Sequence, residues 1–401
     1  MKYIIILGDG MADHPIAALG NKTPLMAANK PHIDRLAAMG RTGLLSTVPL
    51  DMPPGSEIAN MAVLGYDVKK VYQGRGVVEA ASMGIELDDD DLAMRCNLIC
   101  IEEDIIKNHS AGHISNEEAN ILINTLQKEL GSDTVTFYPG VSYRHLLVIK
   151  GGKNTVLCTP PHDVPGTPFK EVLVQAAGND KVMAEKLNSL IVKSQEILKH
   201  HPVNIKRKAE GKDPANSIWP WSPGHKPQME TLQNLYGISG AIISAVDLLY
   251  GIGKYAGMKP IKVPGSTGLY NTNYEGKAKA AVEALKTVDL VYLHIEASDE
   301  AGHEGDHVLK TKTIEYLDQR VVKYIMDETA KMNEPVTLAL LPDYPTPCEL
   351  RTHTHNPVPF IIYHPGETPD EVTVYNEASV KNGYYGLIKG DGFMRNLLAV
   401  K

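Results

Sequence analysis

Cysteine is scarce in this sequence, and its four copies in 401 residues are Cys96, Cys100, Cys158 and Cys348. They do not show the doubled CxxC spacing of a structural zinc site, and four are too few for a disulfide framework. We interpret Cys96 and Cys100 as buried thiols. A reducing, cytoplasmic setting is therefore expected.

Long hydrophobic runs are also missing. Tyr3–Leu7 is five residues long, whereas the apolar part of a signal peptide needs about 7–15. The most apolar longer stretch, Gly237–Gly257, is interrupted by Asp247 and several glycines, so no membrane span is expected. The composition, 43% hydrophobic and 22% charged, is that of a globular protein. At about 100–200 residues per domain, the length predicts two compact units.

The chain has no surplus of basic residues, since 40 Lys and Arg stand against 48 Asp and Glu and give a net charge of −8. Nucleic acids and anionic membranes favour a basic surface, so we expect neither as a partner. An anionic small substrate would need a local cationic site, which bound metal ions can provide.

Strand-like and helix-like segments alternate at both ends of the chain. The apolar runs of strand length are Tyr3–Leu7, Asp289–Ile295, Pro335–Leu341 and Val358–Tyr363. The segments with helical periodicity are Ala27–Met39, Ser56–Leu64 and Leu309–Met332. This alternation predicts an α/β core, formed by residues 1–91 and 179–401, with a mostly parallel sheet flanked by helices.

The middle of the chain has a different pattern. Its predicted elements are a strand at Met94–Glu102, a helix at Asn116–Leu130, and short strands at Thr134–Tyr138 and His145–Ile149. They indicate a smaller α+β subdomain inserted at residues 92–178. The helix Ala184–His200 is then expected to return the chain to the core.

Carboxylates follow three of the predicted strands. Asp9 comes after the first, Asp299 after the second and Asp343 after the third. His303 lies four residues beyond Asp299, and His353 lies ten beyond Asp343. Ligands of open α/β sheets bind beyond the carboxyl ends of strands, and a mixed oxygen and nitrogen set suits Mn²⁺ or Zn²⁺, or Mg²⁺ where oxygens dominate. The alternative is that the aspartates only cap helices.

Ser56 follows Pro53-Pro54-Gly55 at the start of a predicted helix. Free backbone N–H groups and the helix dipole favour an alkoxide or a phosphate there. Serine in this position is also a common helix cap, and the sequence has no G-x-S-x-G elbow. Ser56 is a candidate nucleophile if the predicted metal ligands lie near it.

Taken together, these motifs resemble the metal-binding motifs of the alkaline phosphatase superfamily. More narrowly, they resemble the cofactor-independent phosphoglycerate mutases of the archaeal-type branch. The resemblance extends over nearly the whole chain and includes Gly8-Asp9-Gly10, Met52–Asp67, Glu79–Ile85, Arg95–Leu98, Ser110–Ser115, Pro214–Trp219 and His303–Asp306.

The resemblance implies a site for two divalent metal ions. Asp299, His303 and His353 match the ligands of one ion, while Asp9, Ser56 and Asp343 match those of the other. The family usually has a histidine ligand directly after the last of these carboxylates, where this chain has Tyr344. A neutral phenol is a poor ligand. The second ion is then bound more weakly, gains a water as ligand, or takes its ligand from another neighbouring residue. The two nearby histidines that could substitute are His307 and His355.

The activity that the resemblance implies is the interconversion of 3-phosphoglycerate and 2-phosphoglycerate through a phosphoserine on Ser56, independent of 2,3-bisphosphoglycerate. Water must be kept from such an intermediate, and the inserted subdomain is the expected lid. We expect Arg144, His109 and His113 to bind the substrate's phosphate or carboxylate, with His145 and His162 as further candidates and Lys277 contributed by the core.

Three other functions stay open at this point. A homoserine kinase-like phosphotransferase of the same family shares these motifs, although the chain has no P-loop. A phosphatase would need an open site, and a binding protein with a decayed site is suggested only by Tyr344. The sequence does not distinguish mutase from kinase, or give the metal's identity or the oligomeric state.

Overall fold

The computed structural model describes residues 1–399. Its strands are β1 (Lys2–Gly8), β2 (Arg41–Ser46), β3 (Leu92–Glu102), β4 (Ile105–Asn108), β5 (Val135–Val141), β6 (Arg144–Ile149), β7 (Val156–Leu157), β8 (Gln175–Ala176), β9 (Ser217–Gly224), β10 (Gly240–Ile243), β11 (Lys259–Pro260), β12 (Leu290–Ile295), β13 (Val336–Leu341), β14 (Val358–Tyr363) and β15 (Gly386–Lys389).

Its α-helices are α1 (Pro24–Ala27), α2 (Pro31–Met39), α3 (Ser56–Val63), α4 (Val68–Val71), α5 (Arg75–Ser82), α6 (Asn116–Leu130), α7 (Val182–Lys199), α8 (Pro202–Ala209), α9 (Leu232–Tyr236), α10 (Asp247–Tyr255), α11 (Tyr274–Ala284), α12 (Ala297–Glu304), α13 (His307–Tyr316), α14 (Lys323–Thr329) and α15 (Gly392–Leu398). A π-helical segment, Leu317–Val322, joins α13 to α14. No helix within residues 1–399 is long and apolar enough to cross a membrane.

The chain divides into two units. The first contains Met1–Tyr72 and the segment from Met229 onward, and the second is Gln73–Gln228. The first unit is built on an eight-stranded sheet in the order β11-β10-β12-β1-β13-β14-β2-β15. Among these eight strands only β14 runs antiparallel to its neighbours, which confirms the predicted α/β class with a mostly parallel sheet.

The centre of this sheet positions the candidate site. Strand β1 pairs in parallel with β12 on one side and with β13 on the other. Gly8 lies opposite Ile295, and Leu7 lies opposite Leu341. All three strands are almost wholly apolar and buried, as is typical of parallel strands covered on both faces. Their carboxyl ends therefore meet at one edge of the sheet.

One predicted helix of this unit is interrupted. The segment Ala27–Met39 does not form a single helix, because α1 ends at Ala27 and α2 begins only at Pro31. A proline disfavours helical backbone in the residue before it, and Lys30 accordingly has φ −130° and ψ 58°.

The second unit contains a five-stranded antiparallel sheet with β3 at its centre. Strands β6 and β4 pair along one edge of β3, and β9 pairs along the other. Helices α6 and α7 contribute to its buried core, and the thiols of Cys96 and Cys100 on β3 are free and buried.

This unit contains more of the chain than the inserted segment predicted at residues 92–178. Strand β9 pairs antiparallel with β3, and the paired residues run from Ala93 with Gly224 to Ile99 with Ser217. The α7 residue Leu187 shares a buried cluster with Leu98 of β3. The helix expected to return the chain to the core therefore belongs to the second unit.

Candidate metal centre and nucleophile

Asp9 lies in the turn directly after β1. Its N–H donates to the carbonyl of Ile295 over 2.9 Å, and the residue is only 2% exposed. The turn continues through Gly10, whose φ is +59°. The Gly10 N–H donates to Asp343 Oδ1 over 3.1 Å, and a Cβ at Gly10 would collide with Asp299. Glycine is thus required where the three strand-end carboxylates approach one another.

The first group of potential ligands consists of Asp299, His303 and His353. Asp299 and His303 lie one turn apart on α12, so their side chains share a face. His303 Nε2 lies 3.2 Å from Asp299 Oδ2 and 3.0 Å from His353 Nε2, while His353 Nε2 lies 3.5 Å from Asp299 Oδ1. This group could hold a metal ion.

The outer nitrogens of the two histidines contact backbone carbonyls. His303 Nδ1 lies 3.0 Å from Arg351 O, and His353 Nδ1 lies 3.3 Å from Pro54 O. An Nδ1–H that donates to a carbonyl leaves the Nε2 lone pair free, and metal-binding histidines are commonly oriented in this way.

The second group consists of Asp9, His294 and Asp343, all buried. His294 Nε2 lies 3.0 Å from Asp9 Oδ2. Asp343 Oδ2 accepts a hydrogen bond from Asn60 Nδ2 over 2.9 Å. Sequence reasoning missed His294. The available signal was a histidine at the carboxyl end of an otherwise apolar strand, Leu290–Ile295.

Neither group uses its aspartates as helix caps. Asp299 lies inside α12, whose N-cap is Glu296. Asp9 and Asp343 follow their strands in segments that do not begin a helix. The capping alternative is therefore wrong for these three residues.

Ser56 is the first residue of α3, and Gly55 is its N-cap. The Ser56 side chain is therefore not occupied in capping the helix. Its Oγ lies 2.7 Å from the hydroxyl of Tyr344. Asn60 Nδ2, which donates to Asp343, also donates to Ser56 O over 2.8 Å. Asn60 therefore links the backbone of Ser56, at the start of α3, to the Asp343 carboxylate after β13.

Tyr344 connects the two groups. It is fully buried, and it directly follows Asp343 in the chain. Its ring stacks on His353 with a centroid distance of 3.9 Å and an interplanar angle of 30°. Burial and the negative charge of Asp343 raise the pKa of Tyr344, so its phenol stays protonated.

The carboxylates of the two groups outnumber the nearby cationic side chains that could offset their negative charge. Burial and the charge of Asp299 raise the pKa of Asp9, and burial and the charge of Asp9 raise the pKa of Asp343. Burial alone would raise the pKa of Asp299, but hydrogen bonds with His303 and His353 hold it below its usual value. The hydrogen bond with Asp299 raises the pKa of His303 to about 9, whereas burial lowers the pKa of His294. Such a site favours a bound cation.

Three other predicted residues of the first unit lie outside both groups. His355 Nε2 lies 2.8 Å from Met52 O, and His307 is half-buried at the start of α13. Lys277, on α11, is fully buried and its ammonium donates to His294 O over 3.3 Å. Burial lowers the pKa of Lys277 to about 8.

The predicted substrate-binding residues of the second unit gather around Tyr143. The rings of His109 and His113 lie 5.6 and 6.1 Å from the Tyr143 ring, edge to face. The guanidinium carbon of Arg144 lies 5.8 Å from the centroid of the same ring. The ring centroids of His162 and His109 are 6.1 Å apart. Burial, followed by the charges of neighbouring histidines, lowers the pKa of His109.

His145 differs from these residues because it is buried in β6. Its Nδ1 accepts a hydrogen bond from Gly140 N over 3.0 Å. Burial lowers its pKa to about 3, so the imidazole is neutral. His145 therefore lies within the core of the unit, apart from the cluster around Tyr143.

Comparison with known proteins places the chain in a family. A protein from Methanosarcina acetivorans named 2,3-bisphosphoglycerate-independent phosphoglycerate mutase is 53% identical over 403 residues, covering 100% of both chains. The chain belongs to the 2,3-bisphosphoglycerate-independent phosphoglycerate mutase family. A family model with the same description matches residues 37–204. A Geobacter sulfurreducens protein named as a probable mutase of this kind is 48% identical, covering 98% of each chain.

Solved structures of related proteins agree with membership of the mutase family. A protein from Pyrococcus horikoshii is 32% identical, with a TM-score of 0.83 over 99% of this chain and 97% of that one. The cofactor-independent phosphoglycerate mutase from Thermoplasma acidophilum is 26% identical, with a TM-score of 0.71 over 100% of both chains. The resemblance expected from the motifs is thus confirmed over the full length.

Proposed function

We propose that this chain interconverts 3-phosphoglycerate and 2-phosphoglycerate without 2,3-bisphosphoglycerate, through a phosphoserine on Ser56. The observation that carries the proposal is the position of Ser56 Oγ, 2.7 Å from Tyr344 and on the helix that Asn60 ties to Asp343. The names of the full-length relatives support the mutase activity. The substrate is accordingly a small phosphorylated hydroxy acid.

We propose two divalent ions, Mn²⁺, Zn²⁺ or Mg²⁺, in this site. Asp299, His303 and His353 would hold one ion, and Asp9 and Asp343 together with Ser56 would hold the other. The donor set fits such ions, and Asp9 Oδ1 is buried without a hydrogen-bond partner among residues 1–399. Bound ions would neutralise the phosphoryl oxygens and lower the pKa of the serine hydroxyl.

Ser56 performs the group transfer in two matching steps. Its Oγ forms a bond to phosphorus as the bond from phosphorus to the substrate oxygen breaks. The proton from the serine hydroxyl ends on the glycerate oxygen that is released. After the glycerate has turned, its other hydroxyl takes the phosphoryl group and returns a proton to Ser56. The amino end of α3 favours the negative charge that accompanies both steps.

Tyr344 orients the nucleophile. Tyr344, held by its stacking on His353, fixes the direction of the Ser56 hydroxyl through their hydrogen bond.

Several roles stay predictions. They are substrate binding by Arg144, His109 and His113, a contribution from Lys277, and a lid function of the second unit. The clustering of the first three around Tyr143 supports a shared anion-binding surface. The cytoplasmic location and the lack of nucleic-acid binding also stay predictions.

The test compares Ser56→Ala with Ser189→Ala, an exposed serine on α7. An enzyme-coupled assay from 3-phosphoglycerate to pyruvate, run without 2,3-bisphosphoglycerate, should detect turnover by the native protein and by Ser189→Ala only. Mass spectrometry of the quenched native protein should find the phosphoryl group on the Ser56 peptide. Full turnover by Ser56→Ala would contradict the phosphoserine.

A parallel assay of ATP consumption with homoserine tests the kinase-like alternative. We expect no homoserine-dependent consumption at any added Mn²⁺ concentration. If ATP is consumed and 3-phosphoglycerate is not converted, the mutase proposal is wrong.

A further inference from the structure

The second ligand group contains a nitrogen donor that the sequence did not reveal. His294 lies at the carboxyl end of β12, opposite Leu7 of β1, and is completely buried. One of its ring nitrogens and one carboxylate oxygen each from Asp9 and Asp343 lie within 4.8 Å of one another. These three side chains come from three adjacent strand ends, so the sheet itself fixes their spacing.

The contact between His294 and Asp9 is close without being a hydrogen bond. Nε2 lies 3.0 Å from Asp9 Oδ2, yet Nε2 has no hydrogen-bond partner within residues 1–399. Asp9 Oδ1 is likewise buried and unpartnered in that part of the chain. Buried polar atoms are rarely left unsatisfied. A cation between them would satisfy both atoms at once.

The other ring nitrogen of His294 is already engaged. Nδ1 lies 3.2 Å from Ser244 Oγ, and that oxygen also accepts a hydrogen bond from Val246 N over 3.0 Å. An Nδ1–H that donates to Ser244 leaves the lone pair on Nε2, facing Asp9. The Lys277 ammonium meanwhile donates to the His294 carbonyl and holds the backbone in place. The ring is thus oriented as metal-binding histidines are.

Tyr344 is a poor source of this donor, because a neutral phenol binds metal ions weakly. Its hydroxyl lies 2.7 Å from Ser56 Oγ, and its ring stacks on His353. His307 and His355, the substitutes suggested by the sequence, belong to neither ligand group.

We propose that His294 Nε2, together with Asp9 and Asp343, binds the second divalent cation and takes the place of the histidine expected at position 344. This inference rests on the two-ion site of the proposed function. One imidazole among carboxylates favours Mn²⁺, Co²⁺ or Zn²⁺ over Mg²⁺.

The experiment measures metal binding independently of turnover. Metal-free full-length protein is titrated with Co²⁺, and calorimetry gives stoichiometry and affinity while the visible absorption reports the ligand field. Native protein should bind two equivalents. His294→Gln should bind the second equivalent at least about tenfold more weakly and show a changed cobalt spectrum. The control His355→Gln should behave as the native protein, because that ring contacts the Met52 carbonyl.

Two further variants keep the inference testable if His294→Gln folds poorly. Ser244→Ala removes the Nδ1 partner, together with the acceptor of the Val246 N–H, and should weaken the second equivalent by about tenfold. Tyr344→Phe should leave both equivalents in place. Loss of the second equivalent in Tyr344→Phe would make the phenol the ligand and overturn the inference.

The remaining outcomes separate the inference from the proposed function. If native protein binds two equivalents and His294→Gln binds both with native affinity, His294 is not a ligand, while the proposed function stands. If native protein binds no Co²⁺, Mn²⁺ or Zn²⁺, the metal-dependent function fails and this inference fails with it.

Discussion

Replacing Tyr344 by phenylalanine removes one hydroxyl from the site and leaves the ring that stacks on His353. The lost contact is the 2.7 Å hydrogen bond to Ser56 Oγ. A neutral hydrogen bond contributes about 0.5–1.5 kcal/mol. At 1.36 kcal/mol per factor of ten, kcat/KM should fall by about two- to thirteenfold. The loss should appear in kcat, because the hydroxyl orients the nucleophile and does not bind substrate.

The pH profile gives a second measurement on Tyr344→Phe. Burial and the charge of Asp343 raise the pKa of Tyr344, so the native phenol is protonated throughout the assay range. The ratio of native to variant kcat should therefore be constant between pH 6 and 9. The matched control is Tyr375→Phe, which removes an equally buried hydroxyl that donates to the Pro359 carbonyl over 2.7 Å. Both variants should lose about 1 kcal/mol of stability, but only Tyr344→Phe should lose activity.

Two results would refute this reasoning. If kcat of Tyr344→Phe equals that of native protein, the hydroxyl does not orient Ser56. If kcat falls by about 10³ or more, the loss exceeds 4 kcal/mol and one neutral hydrogen bond cannot explain it. Tyr344 would then take part in the chemistry itself.

Three other variants test separate features of the fold and site. Burial lowers the pKa of His145 from 6.5 to about 3. Between pH 7 and pH 5 the imidazole therefore gains a proton in the unfolded state but not in the folded state. The free energy of unfolding should fall by about 2 kcal/mol over this range. Urea unfolding should show this fall reduced in His145→Gln but retained in the exposed control His200→Gln. Lys310→Met removes an ammonium buried against a carboxylate and two backbone carbonyls, and should cost about 3–5 kcal/mol of unfolding free energy. The exposed ion pair lost in Lys312→Met should cost less than about 1 kcal/mol. Tyr344→His should tighten the second metal equivalent by roughly tenfold, and an unchanged affinity in calorimetry would contradict the view that a phenol there is a poor ligand.

The strand ends could be predicted because their signals are local. An apolar run followed at once by a polar turn specifies a buried strand and its end, so Asp9 and Asp343 were expected near their observed places. The helix Asn116–Leu130 was also expected with its observed bounds, since Ser115 caps it and its apolar residues have helical spacing. These features need no information from distant parts of the chain.

The missed features depend on distant pairing. Whether His294 faces Asp9 or the core depends on the register of β12 against β1, which pairs His294 with Leu7. Strand β9 contains Pro220 and Pro223, and proline argues against a strand when only the sequence is known. In the structure, Pro220 lies opposite Cys96 of β3. The limits of the second unit therefore depend on a pairing more than a hundred residues apart.

The charge of the site follows from how the sheet is connected. Parallel strands β12, β1 and β13 bring three carboxylates to one buried edge, but the nearby buried lysines are directed elsewhere. Lys277 donates to the His294 carbonyl, and Lys310 forms its ion pair with Asp13. The Asp299 carboxylate is offset by two histidines, whereas the histidine beside Asp9 is His294, whose pKa is lowered by burial. Asp343 accepts hydrogen bonds from Gly10 N and Asn60 Nδ2, which are neutral donors. Buried negative charge that no cation offsets is destabilising. A cation bound by Asp9 and Asp343 would therefore stabilise the folded chain as well as serve the chemistry, because metal binding and folding would then draw on the same contacts.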